Sequence, residues 1–250
     1  MITRTVSLPM THWTADEPTI AAALARAATQ LQVTGAPRLE AELLLAHVLD
    51  LSRASLYAHP NRALHAHQRA TYQTLVKRRA LGEPLPYLIG HVEFYGLDLS
   101  VNTHVLIPRP ETETLVDLAL TSNTQHLHRA ADAVQVYPIS NLLSFADVCT
   151  GSGCIAIALA VHAPQARVYA LDLSPDALAV ARANAARHGV GDRVTFLQSD
   201  LLAALPEPVD MIVANPPYIA AQEWGALPRE VREHEPRLAL YGGPDGLDVI

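Results

Sequence analysis

The feature that most limits how this chain can fold is the stretch Val209 to Tyr218, VDMIVANPPY. Met211-Ile212-Val213 is a short apolar run of the kind a buried parallel strand needs. It ends at Asn215, and Pro216 and Pro217 follow. Proline lacks the N–H that a ladder requires and fixes φ, so the strand stops there and the turn is stiff. Asn215 is thereby held at the carboxyl end of a strand, where open α/β sheets bind ligands. Its side-chain oxygen and the Pro216 carbonyl can both accept hydrogen bonds, and Tyr218 offers a ring face. Two acceptors suit the two hydrogens of a planar NH2 group, whose delocalised lone pair makes it a poor nucleophile. Holding both hydrogens favours the pyramidal nitrogen that forms during attack, a stabilisation specific to the transition state. A plain Pro-Pro turn closing a buried strand explains the tetrapeptide equally well, so the upstream sequence decides.

Upstream lies a run of strand–turn–helix units. Phe145-Ala146-Asp147-Val148 reads as a strand, Cys149-Thr150-Gly151-Ser152-Gly153 as a turn, and Cys154 to Val161 as a helix. Glycines let the backbone approach a ligand, and free N–H groups at a helix start attract negative groups. Asp147 and the five turn residues form a first cofactor-binding set. Val168 to Leu171 is a strand ending in Asp172, about 20 residues beyond the turn, where a carboxylate can take two ribose hydroxyls. Ser174-Pro175-Asp176 caps a helix running through Asn184. Val194 to Leu197 is a further strand, followed by Asp200, which can meet an adenine amino group. Strands with intervening helices imply right-handed crossovers and a parallel sheet. No lysine follows the glycines, which argues against a nucleotide triphosphate, and Cys149 replaces the first glycine of a dinucleotide fingerprint. Acid-ended strands together with Asn215-Pro216-Pro217-Tyr218 point to S-adenosylmethionine.

The N-terminal part reads differently. Ile20, Leu24, Ala27, Ala28 and Leu31 recur at helical spacing up to Gly35; Pro37 opens a second helix with Leu39, Leu43, Leu44, Val48 and Leu49 on one side. His65 to Leu81 forms a third, with Lys77-Arg78-Arg79 where the helix dipole prefers cations. Residues 1–88 are expected to be a small helical bundle for substrate docking, 89–108 a hairpin linker, and 109–250 the catalytic domain. Pro108-Arg109-Pro110-Glu111-Thr112-Glu113 opens a helix; ordinary helix-start chemistry covers the acids but not Arg109. Residues 121–144 carry no period and read as a surface insertion.

At 250 residues and net charge −7, the chain lacks the basic footprint of a nucleic-acid binder. No apolar segment is long enough to span a bilayer, and nothing at the N-terminus reads as a signal peptide. Cys149 and Cys154 match neither a zinc spacing nor a disulfide framework, which suggests a reducing, cytoplasmic setting. The histidines, His126 and His128 included, are scattered and suggest no metal site.

Several longer segments carry a family resemblance. They are Arg38–Leu44 (RLEAELL), Gly82–Gly90 (GEPLPYLIG), Glu93–Gly96 (EFYG), Leu106–Glu113 (LIPRPETE), the Thr150–Gly153 turn, Asn215–Tyr218, and Glu235–Leu240 (EPRLAL) through Asp248. Together they resemble the HemK/PrmC family, the glutamine methyltransferases of peptide chain release factors. The resemblance implies a five-helix N-terminal domain and a Rossmann-like S-adenosylmethionine-dependent methyltransferase domain. It implies methylation of the glutamine amide in the Gly-Gly-Gln loop of class 1 release factors by a protein that is monomeric when complete. Asn215 and the Pro216 carbonyl would hold the amide, with Pro217, Tyr218 and Arg109 also on the substrate. The Cys149–Gly153 turn would cradle the methionine portion, Asp172 the ribose, Asp200 and Leu201 the adenine, and Asn215 would face the cofactor as well. Two departures stand out. Cys149 replaces a common glycine, as in a sister group acting on a ribosomal protein glutamine. Only four strands are visible, so the C-terminal part of the sheet is expected to be missing. The alternatives are accordingly that ribosomal-protein activity, a shortened inactive cofactor- or release-factor-binding module, and an adenine amino methyltransferase of nucleic acid.

Overall fold

The computed structural model describes residues 18–121 and 144–250. The N-terminal residues read for a signal peptide, His126, His128 and positions 122–143 of the expected insertion lie outside the described residues. The chain divides after Ile89 into two compact units.

Among its described residues the first unit holds five helices: α1 (Ile20–Gln30), α2 (Pro37–Leu49), α3 (Arg53–Ala58), α4 (Ala66–Ala80) and α5 (Leu85–Ile89). Thr19 caps α1 by accepting a hydrogen bond from the Ala22 amide, and Pro37 opens α2; both residues suit a helix start. Ile20, Leu24, Leu44, Leu45, Tyr72 and Val76 are buried together. The buried face of α2 differs from the leucine stripe expected for it. Leu39 is exposed, whereas Glu40 and Glu42 point inward. The Arg79 guanidinium donates to Glu40 (2.8 and 3.1 Å) and to the Glu83 carbonyl (3.0 Å). Arg79 therefore does more than complement a helix dipole: it neutralises a buried carboxylate, which an unpaired site would not tolerate. Glu42 accepts from Arg38 (2.7 Å), Arg53 (2.8 Å) and the Tyr57 hydroxyl. Burial pushes the Glu42 carboxyl up, but these hydrogen bonds outweigh it and hold the group below the usual carboxylate range.

The second unit begins with a hairpin, β1 (His91–Phe94) and β2 (Leu97–Ser100), paired antiparallel. Its turn residues Tyr95 and Gly96 both have positive φ, 52° and 74°, as a two-residue hairpin turn with the sheet's twist requires. The hairpin had been expected as a linker over 89–108. Instead, Phe94 and Leu99 are buried in one cluster with Phe145, Ile157 and Val168, so the strands belong to the second unit's own core. A helix, α6, follows over 113–121.

Among the described residues four strands form a parallel sheet: β3 (Ser144–Val148), β4 (Arg167–Asp172), β5 (Val194–Gln198) and β6 (Met211–Ala214). Helices α7 (Cys154–His162) and α8 (Pro175–Arg187) make the crossovers between β3, β4 and β5. Residues Ile155 to Ala160 of α7 are all buried, as expected for a helix that is apolar on every side. The strand order is β5-β4-β3-β6. The chain thus steps outward from β3 through β4 to β5, then returns to the other side of β3. That reversal is the topological switch point where doubly wound sheets open a crevice at the strands' carboxyl ends. Val148 at the end of β3 pairs with Ala214 at the end of β6. Asn215 and the glycine turn therefore leave the sheet side by side.

Candidate active site

The turn after β3 is held from beneath and from the side. Asp147 is fully buried; its Oδ2 accepts from the Thr150 hydroxyl (2.6 Å) and from the Ala156 amide in the first turn of α7 (3.1 Å). Asp147 was expected among the cofactor-binding residues, but it lies behind the turn and does not line the cavity described below. Burial, the first cause, raises its carboxyl to about 7, with the Asp172 charge adding to the rise against the two hydrogen bonds. Gly153 also stays off the cavity wall. Its φ is 82°, and a Cβ there would meet Ala181 and Ile157 at 3.0 Å, so its role is close packing of turn and helix. Cys149 has φ 61°, a left-handed conformation that costs a non-glycine residue about 1 kcal/mol. Burial and the surrounding carboxylates raise its thiol to about 11, so it is a neutral wall residue rather than a nucleophile.

Asp172 closes β4 in a fixed orientation. One oxygen accepts from the Gly151 amide (2.8 Å) and the other from the Ser174 amide (2.9 Å). Each oxygen keeps a second lone pair for a ligand. Asp200 and Leu201 follow β5, and Leu201 has φ 49°. Cys149, Thr150, Gly151, Ser152, Asp172, Asp200 and Leu201 all line one cavity of about 300 Å³, as do Asn215 and Pro217.

A second cavity, of about 270 Å³, adjoins it. Pro216, Tyr218 and Glu111 line this second space only, while Asn215, Arg109 and Thr112 line both. Asn215 therefore stands in the wall between the two. Pro217 had been expected on the substrate side, yet it faces the first cavity, because successive residues of an extended turn point opposite ways.

Arg109 and several residues to which sequence reasoning gave no site role hold this wall in place. The Asn215 amide nitrogen donates to the Thr112 hydroxyl (3.3 Å), which leaves the Asn215 oxygen as a free acceptor. Arg109, expected on the substrate, donates to the buried Glu235 carboxylate (2.5 Å), and Glu235 also accepts from the Ile107 amide (3.2 Å). Arg109 thus serves first as a tie between two distant segments. Glu113 accepts from the Tyr95 amide (2.9 Å), fixing α6 to the hairpin turn. Asn184, fully buried on α8, bonds the Ser100 backbone and the Ser152 carbonyl (2.9 Å). Behind Asn215–Tyr218, a Cβ on Gly246 would meet the Tyr218 carbonyl at 2.4 Å and one on Gly242 the Pro217 carbonyl at 2.7 Å. The 242–248 loop is glycine-rich because it presses on the backbone of the proline turn. The family resemblance of EFYG, LIPRPETE and EPRLAL through Asp248 signals the segments of most of these contacts, while the Asn184 contacts have no such signal.

Comparison with known proteins gives the family. Residues 22–90 match the PrmC N-terminal domain profile and 134–232 the methyltransferase small domain profile. A release factor glutamine methyltransferase of Koribacter versatilis is 44% identical over 87% of this chain and 72% of its own length. Those of Moorella thermoacetica and Streptomyces coelicolor are 46% and 40% identical, each over 92% of this chain and 77% and 76% of their own lengths. The chain belongs to the release factor glutamine methyltransferase family. It is a methyltransferase with a Rossmann-like domain and a helical N-terminal region, and its methyl donor is S-adenosylmethionine. The first cavity suits that donor: its wall combines a glycine turn that admits close backbone approach with carboxylates at the ends of two neighbouring strands, the donor set that a ribose and a cationic sulfur require. Among the described residues no group of three or more His, Cys, Asp or Glu is placed to hold a metal, and no helix is long and apolar enough to cross a membrane.

Proposed function

We propose that this protein methylates the side-chain amide nitrogen of a glutamine in the Gly-Gly-Gln loop of a class 1 peptide chain release factor. The observation that carries the reading is Asn215 in the wall shared by two adjoining cavities. One suits S-adenosylmethionine, with the Cys149–Ser152 turn against the methionine portion, Asp172 on the ribose, and Asp200 with Leu201 beside the adenine. The other accepts the glutamine. The donor supplies an electrophilic methyl on a positively charged sulfur.

The chain's own residues then do three things. The Asn215 oxygen and the Pro216 carbonyl accept from the two amide hydrogens, which turns the nitrogen lone pair towards the first cavity. Tyr218 packs beside the amide. Thr112 keeps Asn215 from rotating, and the Arg109–Glu235 pair steadies the segment that carries Thr112, whose amide donates to the Arg109 carbonyl. Fixing nucleophile and electrophile in line is worth several powers of ten in rate, and gripping the pyramidal nitrogen adds stabilisation that the planar ground state does not receive. As the N–C bond forms the nitrogen becomes acidic, so water or Asn215 suffices to pass its proton on. The net charge of −7 supports a protein rather than a nucleic-acid substrate. Two free cysteines and a substrate from translation support a cytoplasmic setting.

Labelled methyl transfer tests the reading. Incubation with S-adenosylmethionine and a release factor should label the factor, and changing the loop glutamine should abolish the label. Labelling that persists without that glutamine would refute the assignment.

A further inference from the structure

The carboxyl of Asp147 is used by no step above, and its surroundings are unusual. It is fully buried beneath the turn, and its Oδ1 has no hydrogen-bond partner among the described residues. The other oxygen is tied to Thr150, which lines the first cavity, and to the start of α7. The neighbouring strands set Ala170 and Val213 opposite it, so neither supplies a cation. The titratable groups around it are Asp172 at the end of β4, Cys149 in the turn and Cys154 at the start of α7. Asp172 adds negative charge, and burial keeps both thiols neutral, Cys149 at about 11 and Cys154 at about 12. Burial without a counter-charge favours the neutral carboxyl, and a cation nearby favours the carboxylate.

We propose that Asp147 is a specificity-determining residue that distinguishes the sulfonium donor from the thioether product by shifting further towards its carboxylate form when the donor is bound. This inference rests on the reading that S-adenosylmethionine occupies the first cavity. Donor and product share a carboxylate, an ammonium, a ribose and an adenine, and differ by one methyl and one positive charge. That charge, held near the turn, would favour the Asp147 carboxylate, so donor binding would release part of a proton from Asp147. When the methyl leaves, the sulfur keeps the bonding electron pair and becomes neutral. The carboxylate beneath loses its counter-charge and takes a proton back, and the product is held less tightly. The sign follows from the raised carboxyl: affinity for the donor rises as pH passes upward through about 7, and affinity for the product does not share the rise.

Titration calorimetry with S-adenosylmethionine and S-adenosylhomocysteine between pH 6 and 8 tests this. A drop of about one unit in the Asp147 pKa on donor binding gives about fivefold tighter donor binding at pH 8 than at pH 6. The sulfonium lowers the donor's own α-amino pKa below that of the product, so the Asp147 contribution is read as the difference in slope between wild type and Asp147→Asn, in which the ligand's titration is common and cancels. Asp147→Asn should lack that fivefold rise. Where that variant fails to fold, the wild-type protein answers alone. Repeating the titration at pH 6.5 in buffers of different ionisation enthalpy should show about half a proton released with the donor and none with the product. Equal proton counts for the two ligands, or a donor slope unchanged in the Asn variant, would overturn the inference. Binding of neither ligand at any pH would instead refute the cofactor reading.

Discussion

At the scale of single residues, two side chains divide the work. Asn215 faces both cavities, whereas Asp172 faces only the first. Asn215→Ala removes an acceptor that matters most when the nitrogen is pyramidal, so kcat should fall about 10²–10³-fold with cofactor Kd nearly unchanged. Asp172→Ala should do the reverse, weakening the cofactor about tenfold or more, because hydrogen bonds to a charged group are worth about 1.5–3 kcal/mol. Calorimetry beside single-turnover kinetics separates the two, and equal loss of cofactor in both variants would contradict the division. Asp147→Asn has a stability signature as well. A carboxyl raised to about 7 in the fold contributes stability below the unfolded value near 4, lost as pH rises through about 7. The variant's Tm relative to wild type should therefore be higher at pH 8 than at pH 5 by thermal denaturation.

At the scale of elements, the parts that could be read ahead were those with a period. The β3 to β6 region announced itself through apolar runs broken by glycine, proline and acid, and its helices through spacing and the Ser174-Pro175 cap. Helices α3 and α5 have six and five residues, too short to show a repeat. The inward side of α2 was misread because Glu40 and Glu42 are buried by partners far along the chain, Arg79 and Arg53. The same reason hid Thr112, Asn184 and Glu235: hydrophobic periodicity carries no information about a hydrogen bond 84 or 126 residues away. Arg109→Ala would leave the Glu235 carboxylate buried and unpaired, at a cost of about 3 kcal/mol. It should lower Tm and loosen Asn215 together, in denaturation and turnover assays. Gly246→Ala at φ 83° must displace the Tyr218 carbonyl. It should reduce turnover with cofactor affinity retained; turnover equal to wild type would show that the proline turn needs no brace.

At the scale of the molecule, the strand order decides the chemistry. Because β6 returns beside β3, a stiff asparagine corner and a glycine turn share one crevice, although more than 60 residues of sequence separate them. The same order leaves β6 with one neighbour among the described residues, and Ile212 on it is half exposed. Unpaired apolar edges invite association. Ile212→Lys should reduce light scattering at high protein concentration without altering methyl transfer. The arrangement is tested most directly by a crystal structure with S-adenosylhomocysteine and a Gly-Gly-Gln peptide. The account predicts the glutamine amide bonded to the Asn215 oxygen and the Pro216 carbonyl, its nitrogen aimed at the sulfur across the shared wall with room for one methyl between. A glutamine seated elsewhere, or an amide turned away from the sulfur, would contradict it.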